Sequence, residues 1–372
     1  MALGEQILMS VEWPAVTNAR ANGDGGLDIV SLVLPSVLTS ILGLGWSKDN
    51  LRTADKCYVP GLYPNGTVKW PCGSINKGEG TSGQFKMQTQ QTILAALSMG
   101  PVGISDQLSD RPEVPTADIT SNVPLVMSTC DAAGNLLQPS FPLAPIERMI
   151  VGGAGFGDCT GAEHRAYTYG CGGHVWATYS SVEVSNNGNI SMGIWFTSIG
   201  FAAGRGQLPT NMTVYEEDFS ALYDQEALPA SLLNDIPRGA FQGNGDKFPS
   251  GVEYVLWESD FLNQKDCSTI EPAIFNGNFT MPLPKGDLTS QFNLAPLYGG
   301  IALLGELSKV TAVSPQRFEA VAPDGESLSV KLRGKPAENV TLAYVVAFHG
   351  GLSCKTAEVS VGADGSATAE LK

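Results

Sequence analysis

Three acidic residues stand where carboxylates can do chemistry. Asp24 follows the apolar run 13–19, Asp49 follows the long apolar run 29–44, and Asp106 follows the short run 101–105. At the C-terminal ends of parallel strands such carboxylates act as general acid, nucleophile or acceptor for sugar hydroxyls. Simpler uses compete with this one. Asn22-Gly23-Asp24-Gly25-Gly26 has the composition of a turn, and Asp106 is equally placed to cap a helix or sit in a loop. Trp46 lies beside Lys48 and Asp49. An aromatic face next to a carboxylate combines stacking on sugar C–H groups with hydroxyl recognition, whereas the commoner use of such a tryptophan is packing. Lys48 is also a ready ion-pair partner for Asp49 or Asp55, an interaction of small worth at a surface.

Cysteine and histidine offer a second chemistry. Cys159, His164, Cys171 and His174 are ligand types for a tetrahedral zinc, but their spacing is unlike the usual two-Cys, two-His arrangement. A disulfide between Cys159 and Cys171 accounts for the cysteines without metal and is preferred; Cys57 and Cys72 bracket a loop in the same way. Cys130, Cys267 and Cys354 are left over, and the odd total of seven requires at least one thiol free or bonded outside the chain. Gly153 to Gly157 lacks the glycine spacing and following helix of a dinucleotide loop, so no cofactor is implied. With three histidines and no serine or cysteine in a nucleophile elbow, a hydrolase triad has little support.

Composition narrows the partners. The 372 residues carry a formal net charge of −15 with 22 Lys+Arg, and the basic residues do not cluster, which argues against nucleic acid and anionic membrane surfaces. No apolar run reaches the roughly 20 residues of a membrane helix. Five Asn-X-Ser/Thr sequons, at Asn65, Asn189, Asn211, Asn278 and Asn339, together with the cysteines, point to the secretory pathway. The opening residues 1–16 have no signal-peptide pattern, which suggests the C-terminal part of a longer protein with its leader upstream.

Positioning such residues takes two kinds of element. Before residues 139–145, apolar helical runs alternate with short apolar strands: 29–44 reads as a helix kinked at Pro35, and 84–99 as an amphipathic helix with Met87, Ile93, Leu94 and Leu97 inward. Helix, apolar strand and acidic loop in succession is the pattern of a parallel βα unit. Afterwards the period becomes two. Residues 174–184, 190–201, 253–257, 327–333 and 340–348 read as strands, with turns at Asn187-Gly188, Asp324-Gly325 and Asp364-Gly365. Leu328, Val330 and Leu332 face one way, and Ser327, Ser329, Lys331 and Arg333 the other, as in antiparallel strands with one wet face.

Segments 17–24, 45–50 and 95–106, in that order, resemble the last barrel strands of the α-galactosidase and raffinose-synthase family of retaining glycoside hydrolases. Gly100-Pro101-Val102-Gly103-Ile104-Ser105-Asp106 is the most specific of them, residues 125–139 are similar to the family's exit segment, and 293–297 with 301–304 to a late strand of its C-terminal β domain. The resemblance implies a (β/α)8 barrel binding an α-linked galactose, with Asp24 as acid/base, Asp49 and Asp106 holding sugar hydroxyls, and Arg20, Trp46 and Lys48 alongside. Retaining hydrolysis requires a second carboxylate about 5–5.5 Å from the first, on an earlier strand. Too few residues precede Asp24 to supply that strand and its βα units.

The expected architecture is α/β plus all-β: a partial (β/α)8-type barrel segment over residues 1–143, then an antiparallel β-sandwich over 144–372. The expected function is that of a fragment or degenerate relative of a retaining glycoside hydrolase, binding α-galactoside-type carbohydrate rather than cleaving it. Its partners are the sugar and the missing barrel half or another chain, with no membrane insertion. The alternative is a non-catalytic, secreted, β-rich structural or adhesive module.

Overall fold

The computed structural model describes residues 18–20, 45–47, 88–100, 123–145, 175–201, 211–215, 251–264, 266–282, 289–348 and 351–372. Among these the chain is mostly β-strand. Two three-residue strands come first, β1 (Asn18–Arg20) and β2 (Gly45–Ser47), then helices α1 (Gln88–Leu97) and α2 (Val123–Met127). The helix expected over 84–99 is realised as α1, with Ile93, Leu94 and Leu97 buried as its periodicity requires. Residues 29–44, 84–87 and 101–105 lie outside the described residues.

Strands follow in close succession: β3 (Ala144–Pro145), β4 (Val175–Asn186), β5 (Asn189–Phe201), β6 (Asn211–Tyr215), β7 (Tyr254–Ser259), β8 (Ala273–Ile274) and β9 (Asn278–Pro282). Then come β10 (Thr289–Tyr298), β11 (Ile301–Gly305), β12 (Phe318–Asp324), β13 (Ser327–Arg333), β14 (Asn339–Phe348), β15 (Gly351–Ser360) and β16 (Ser366–Leu371). The expected turns are present. Asn187 and Gly188 both have positive φ, 51° and 83°, in the two-residue β4–β5 hairpin, and Gly325 and Gly365 turn at 60° and 79°.

Twelve strands form one sheet, with the path β15-β14-β11-β10-β5-β4-β12-β13-β16 and with β3, β7 and β8 to the side. Neighbours on this path are antiparallel except β12 with β4, whose register pairs Ala320 with Glu183. β10 is the pivot. It pairs with β5 through 289–294 and with β7 on its other edge through 291–296, then turns across Gly299-Gly300 into β11. At Gly305 (φ 90°) the β11–β14 register shifts, and an added Cβ would lie 2.1 Å from the Ala312 carbonyl oxygen, so the bulge requires glycine.

The sheet curls until its ends approach. Tyr344 Oη and Lys355 Nζ both donate to the Lys372 carbonyl, at 3.2 and 3.0 Å. The region expected as a sandwich is therefore nearly closed and barrel-like, because β10 belongs to both halves of the sheet. Inside lies the largest core, in which Val182, Trp195, Trp257, Leu303, Phe318, Leu332, Val345 and Leu371 meet. Trp195 Nε1 donates across it to the Leu303 carbonyl at 2.9 Å. Leu328, Val330 and Leu332 are each fully buried on the predicted face of β13. Each such side chain contributes about 1.5–3 kcal/mol by leaving water.

Two smaller cores attach the rest. Ile93, Leu97, Leu125 and Leu143 pack on Trp176, Ile199, Phe261 and Val310, so α1 and α2 lie against the strands. Residues 123–143, expected to end the first region, are hydrogen-bonded to the β region: Val310 N–H donates to Ser128 O at 2.9 Å, Ser314 Oγ to Gln138 O at 2.9 Å, and Lys309 Nζ to the Met127 and Cys130 carbonyls at 2.7 Å each. The third core places Phe279 and Met281 of β9 against Val175, Ile194, Phe196 and Leu294.

Candidate functional site

β1 and β2 pair in parallel, with Asn18 opposite Gly45, Ala19 opposite Trp46 and Arg20 opposite Ser47. Arg20 thus ends one strand beside the residue that ends the other, and Trp46 lies one position back in the same ladder. Asp24, Lys48, Asp49 and Asp106 lie outside the described residues, as do Cys57, Cys72, Cys159, His164, Cys171 and His174. The disulfide that is described joins two cysteines the sequence had left unassigned, Cys267 and Cys354, whose Cα atoms are 5.4 Å apart. Cys130 is a buried free thiol, and burial pushes its pKa up, so it is a poor nucleophile.

A groove of about 580 Å³ opens beside β7. Leu256 and Phe292 are its part-buried apolar lining, and Glu258 on β7 is the register partner of Phe292 on β10. One wall is the turn after β7, in which Asp260 N–H donates to Gln264 Oε1 at 3.0 Å, Gln264 Nε2 to Glu258 O at 3.2 Å, and Asn263 Nδ2 to Asp260 Oδ2 at 2.7 Å. These bonds fix the loop without help from a ligand. Thr269, Glu271 and Ala273 form the other wall, next to the 3-10 turn Cys267–Thr269. The Asp266 carboxylate accepts the Ser268 N–H at 2.8 Å to cap that turn, and the disulfide pins it to β15.

Glu258, Asp260 and Glu271 give the groove one sign of charge, and among the described residues no lysine or arginine forms an ion pair with them. Shielding by the surroundings, and then the charge of Asp260, push the Glu258 carboxyl above the ordinary glutamate range. Carboxylate acceptors, an amide rim and an apolar lining suit a polyhydroxylated ligand, whose hydroxyls donate and whose C–H faces pack. Among the described residues no group of three His, Cys, Asp or Glu is arranged to hold a metal ion. Sequence reasoning did not find this groove. The available signal was Glu258-Ser259-Asp260, two acids directly after a run that reads as a strand.

A second charged cluster, around Arg317, is structural. Arg317, 1% exposed, donates from Nε to Glu306 Oε1 at 2.7 Å, from Nη2 to Glu338 Oε1 at 2.6 Å, and from Nη1 to Glu338 Oε2 at 2.9 Å and Arg333 O at 3.0 Å. A longer Nη2 contact to Glu306 Oε2 at 3.5 Å uses the last of its donors. Burial works against the guanidinium charge, but Glu338 and Glu306 outweigh it and raise the pKa further. Nothing of this side chain is left over for a ligand.

Fold and groove define a β-rich, barrel-like protein with an acidic cleft and a separate parallel strand pair. The sequence matches no protein-family model, and no match was found among curated proteins.

Proposed function

We propose that this chain is a carbohydrate-binding relative of the α-galactosidase and raffinose-synthase family, taking α-galactoside-type sugars in the secretory pathway. On this reading β1 and β2 are late strands of a (β/α)8-type barrel, and the barrel-like sheet corresponds to the family's C-terminal β domain. Asp24 is the acid/base position, Asp49 and Asp106 accept sugar hydroxyls, and Arg20, Trp46 and Lys48 border them. The single observation that carries the reading is the parallel register of β1 with β2. Two segments picked out by resemblance are neighbours in a parallel ladder, and the chain leaves both strands at the same end; in the sequence Asp24 comes four residues after Arg20, and Asp49 two after Ser47. Barrel enzymes build their sites at that end.

Retaining turnover needs a second carboxylate about 5–5.5 Å from the first, and the role assigned to this chain is binding. The test is titration calorimetry with galactose and raffinose, run with an aryl α-galactoside hydrolysis assay. Binding is expected to weaken roughly ten- to a hundredfold in Asp49→Asn, the worth of a charged hydrogen bond. Hydrolysis is expected at background in both the chain and Asp24→Asn. Absence of galactoside binding would sink the reading and leave a structural or adhesive module.

A further inference from the structure

Among the described residues, the sequon in β9 presents both of its polar groups to solvent. Asn278 and Thr280 are exposed, whereas Phe279 and Met281, the alternate residues, are 8% and 0% exposed in the third core. Alternation along a strand thus holds the acceptor amide and the sequon hydroxyl on the solvent side together. Just before them the chain bends at Gly277, with φ 86°. The bend connects Asn278 to Phe275, a half-buried ring whose centroid is 6.3 Å from that of Phe279 in an edge arrangement and whose backbone N–H donates to Tyr254 O at 2.8 Å. Phe275 is thus anchored on the core side and only partly buried. By contrast, Asn339 is also exposed, but its Oδ1 accepts Ser360 Oγ at 2.7 Å and Thr341 Oγ1 donates to Glu358 at 2.7 Å.

We infer that Asn278 carries an N-linked glycan whose first sugar packs over Phe275. The donor is a lipid-pyrophosphate-linked oligosaccharide. Asn278 Nδ2 forms a bond to the anomeric carbon of its reducing-end N-acetylglucosamine, the bond from that carbon to the pyrophosphate oxygen breaks with its electron pair on oxygen, and Nδ2 gives up one proton. No electrons are exchanged with an oxidant. The apolar C–H face of the sugar then covers the solvent side of the ring. The inference rests on the secretory placement proposed above, because transfer from that donor takes place in the lumen.

Its test directs the full chain into the secretory lumen of a eukaryotic host and maps glycopeptides by mass spectrometry. Asn278 is expected to be occupied, and Thr280→Ala to remove that glycan. Relative to Asn278→Gln, the glycan is expected to raise Tm by roughly 2–4 °C. Enzymatic trimming to the first sugar keeps that gain, whereas Phe275→Leu, which keeps an apolar side chain against Phe279, abolishes it. Bare Asn278 in the lumen-directed chain overturns the site; a gain lost on trimming, or one that survives Phe275→Leu, overturns the role of the ring. If the lumen-directed chain is glycosylated while protein from its own source loses no mass to a glycan-removing amidase, the acceptor stands and the secretory placement falls.

Discussion

Arg317 shows what a single residue can hold together. It joins Glu306 at the end of β11, the Arg333 carbonyl at the end of β13 and Glu338 before β14, while Glu338 also accepts the Lys335 and Ala132 N–H groups at 2.9 and 3.3 Å. Removing the guanidinium leaves two carboxylates in a buried place with only Lys309 still acting on Glu306 as a counter-charge, so Arg317→Ala is expected to cost about 3–5 kcal/mol in urea unfolding. The two acids respond oppositely to pH. Burial opposes ionisation of Glu338, but the Arg317 and backbone hydrogen bonds win and hold its carboxyl below the usual range. Its contribution is present above the unfolded value of about 4.3 and is lost as pH falls through the lower folded value. Glu306 is pushed up by burial despite Arg317, so its contribution is largest at low pH and declines as pH rises toward its folded value. Glu338→Gln is therefore expected to flatten the acid limb of a stability profile below the ordinary glutamate range. A variant whose acid limb matches the parent's would exclude this assignment.

At the scale of elements, the groove wall depends on a long-range tie. Cys267 and Cys354 are 87 residues apart, and the bond between them joins a short 3-10 turn to the middle of β15. Cys354→Ser is expected to lower global stability by about 2–4 kcal/mol, the usual effect of opening a long cross-linked loop. In hydrogen exchange the amides around 267–273 should lose protection first, ahead of β7 and β10. Equal loss throughout the sheet would mean that the bond does not brace the wall specifically. Several elements were plain in the sequence. β13 has the bounds its alternation gives, and β4, β5, β7 and β14 differ by one or two residues at their ends. β10 was harder because it is paired along both edges and buried on both faces through much of its length, so Gln291, Asn293 and Pro296 break any alternation. β15 gave no signal because its outward face is wet and its inward face is only partly covered. Cysteine spacing could not reveal the Cys267–Cys354 pairing, since connectivity is a property of the folded chain.

For the molecule as a whole, period two says which face of a strand is buried and leaves open which strand lies beside it. The twelve-stranded path depends on contacts between distant segments, of which β4 with β12 is the plainest. That is why all-β texture was legible and near-closure was not. The candidate sugar site divides likewise. Arg20 and Trp46 were marked by type and neighbours, and they lie in paired strands; the acids of the groove drew no notice because part of its apolar lining, Phe292, comes from a strand that alternation did not reveal.

One edge of β4 also sets the order in which this chain can be completed. β3 covers the start of that edge at Trp176 and Ala177, while its far end waits for Ala320 and Val321 of β12. A ribosome releases the β4–β5 hairpin long before it releases those residues, so a nascent chain carries a bare strand flank throughout the interval. Loop closure over such a separation is slow, and an uncovered flank is where neighbouring copies zip together. Synthesis rate and chaperone supply are therefore expected to influence how much of this protein reaches its native form.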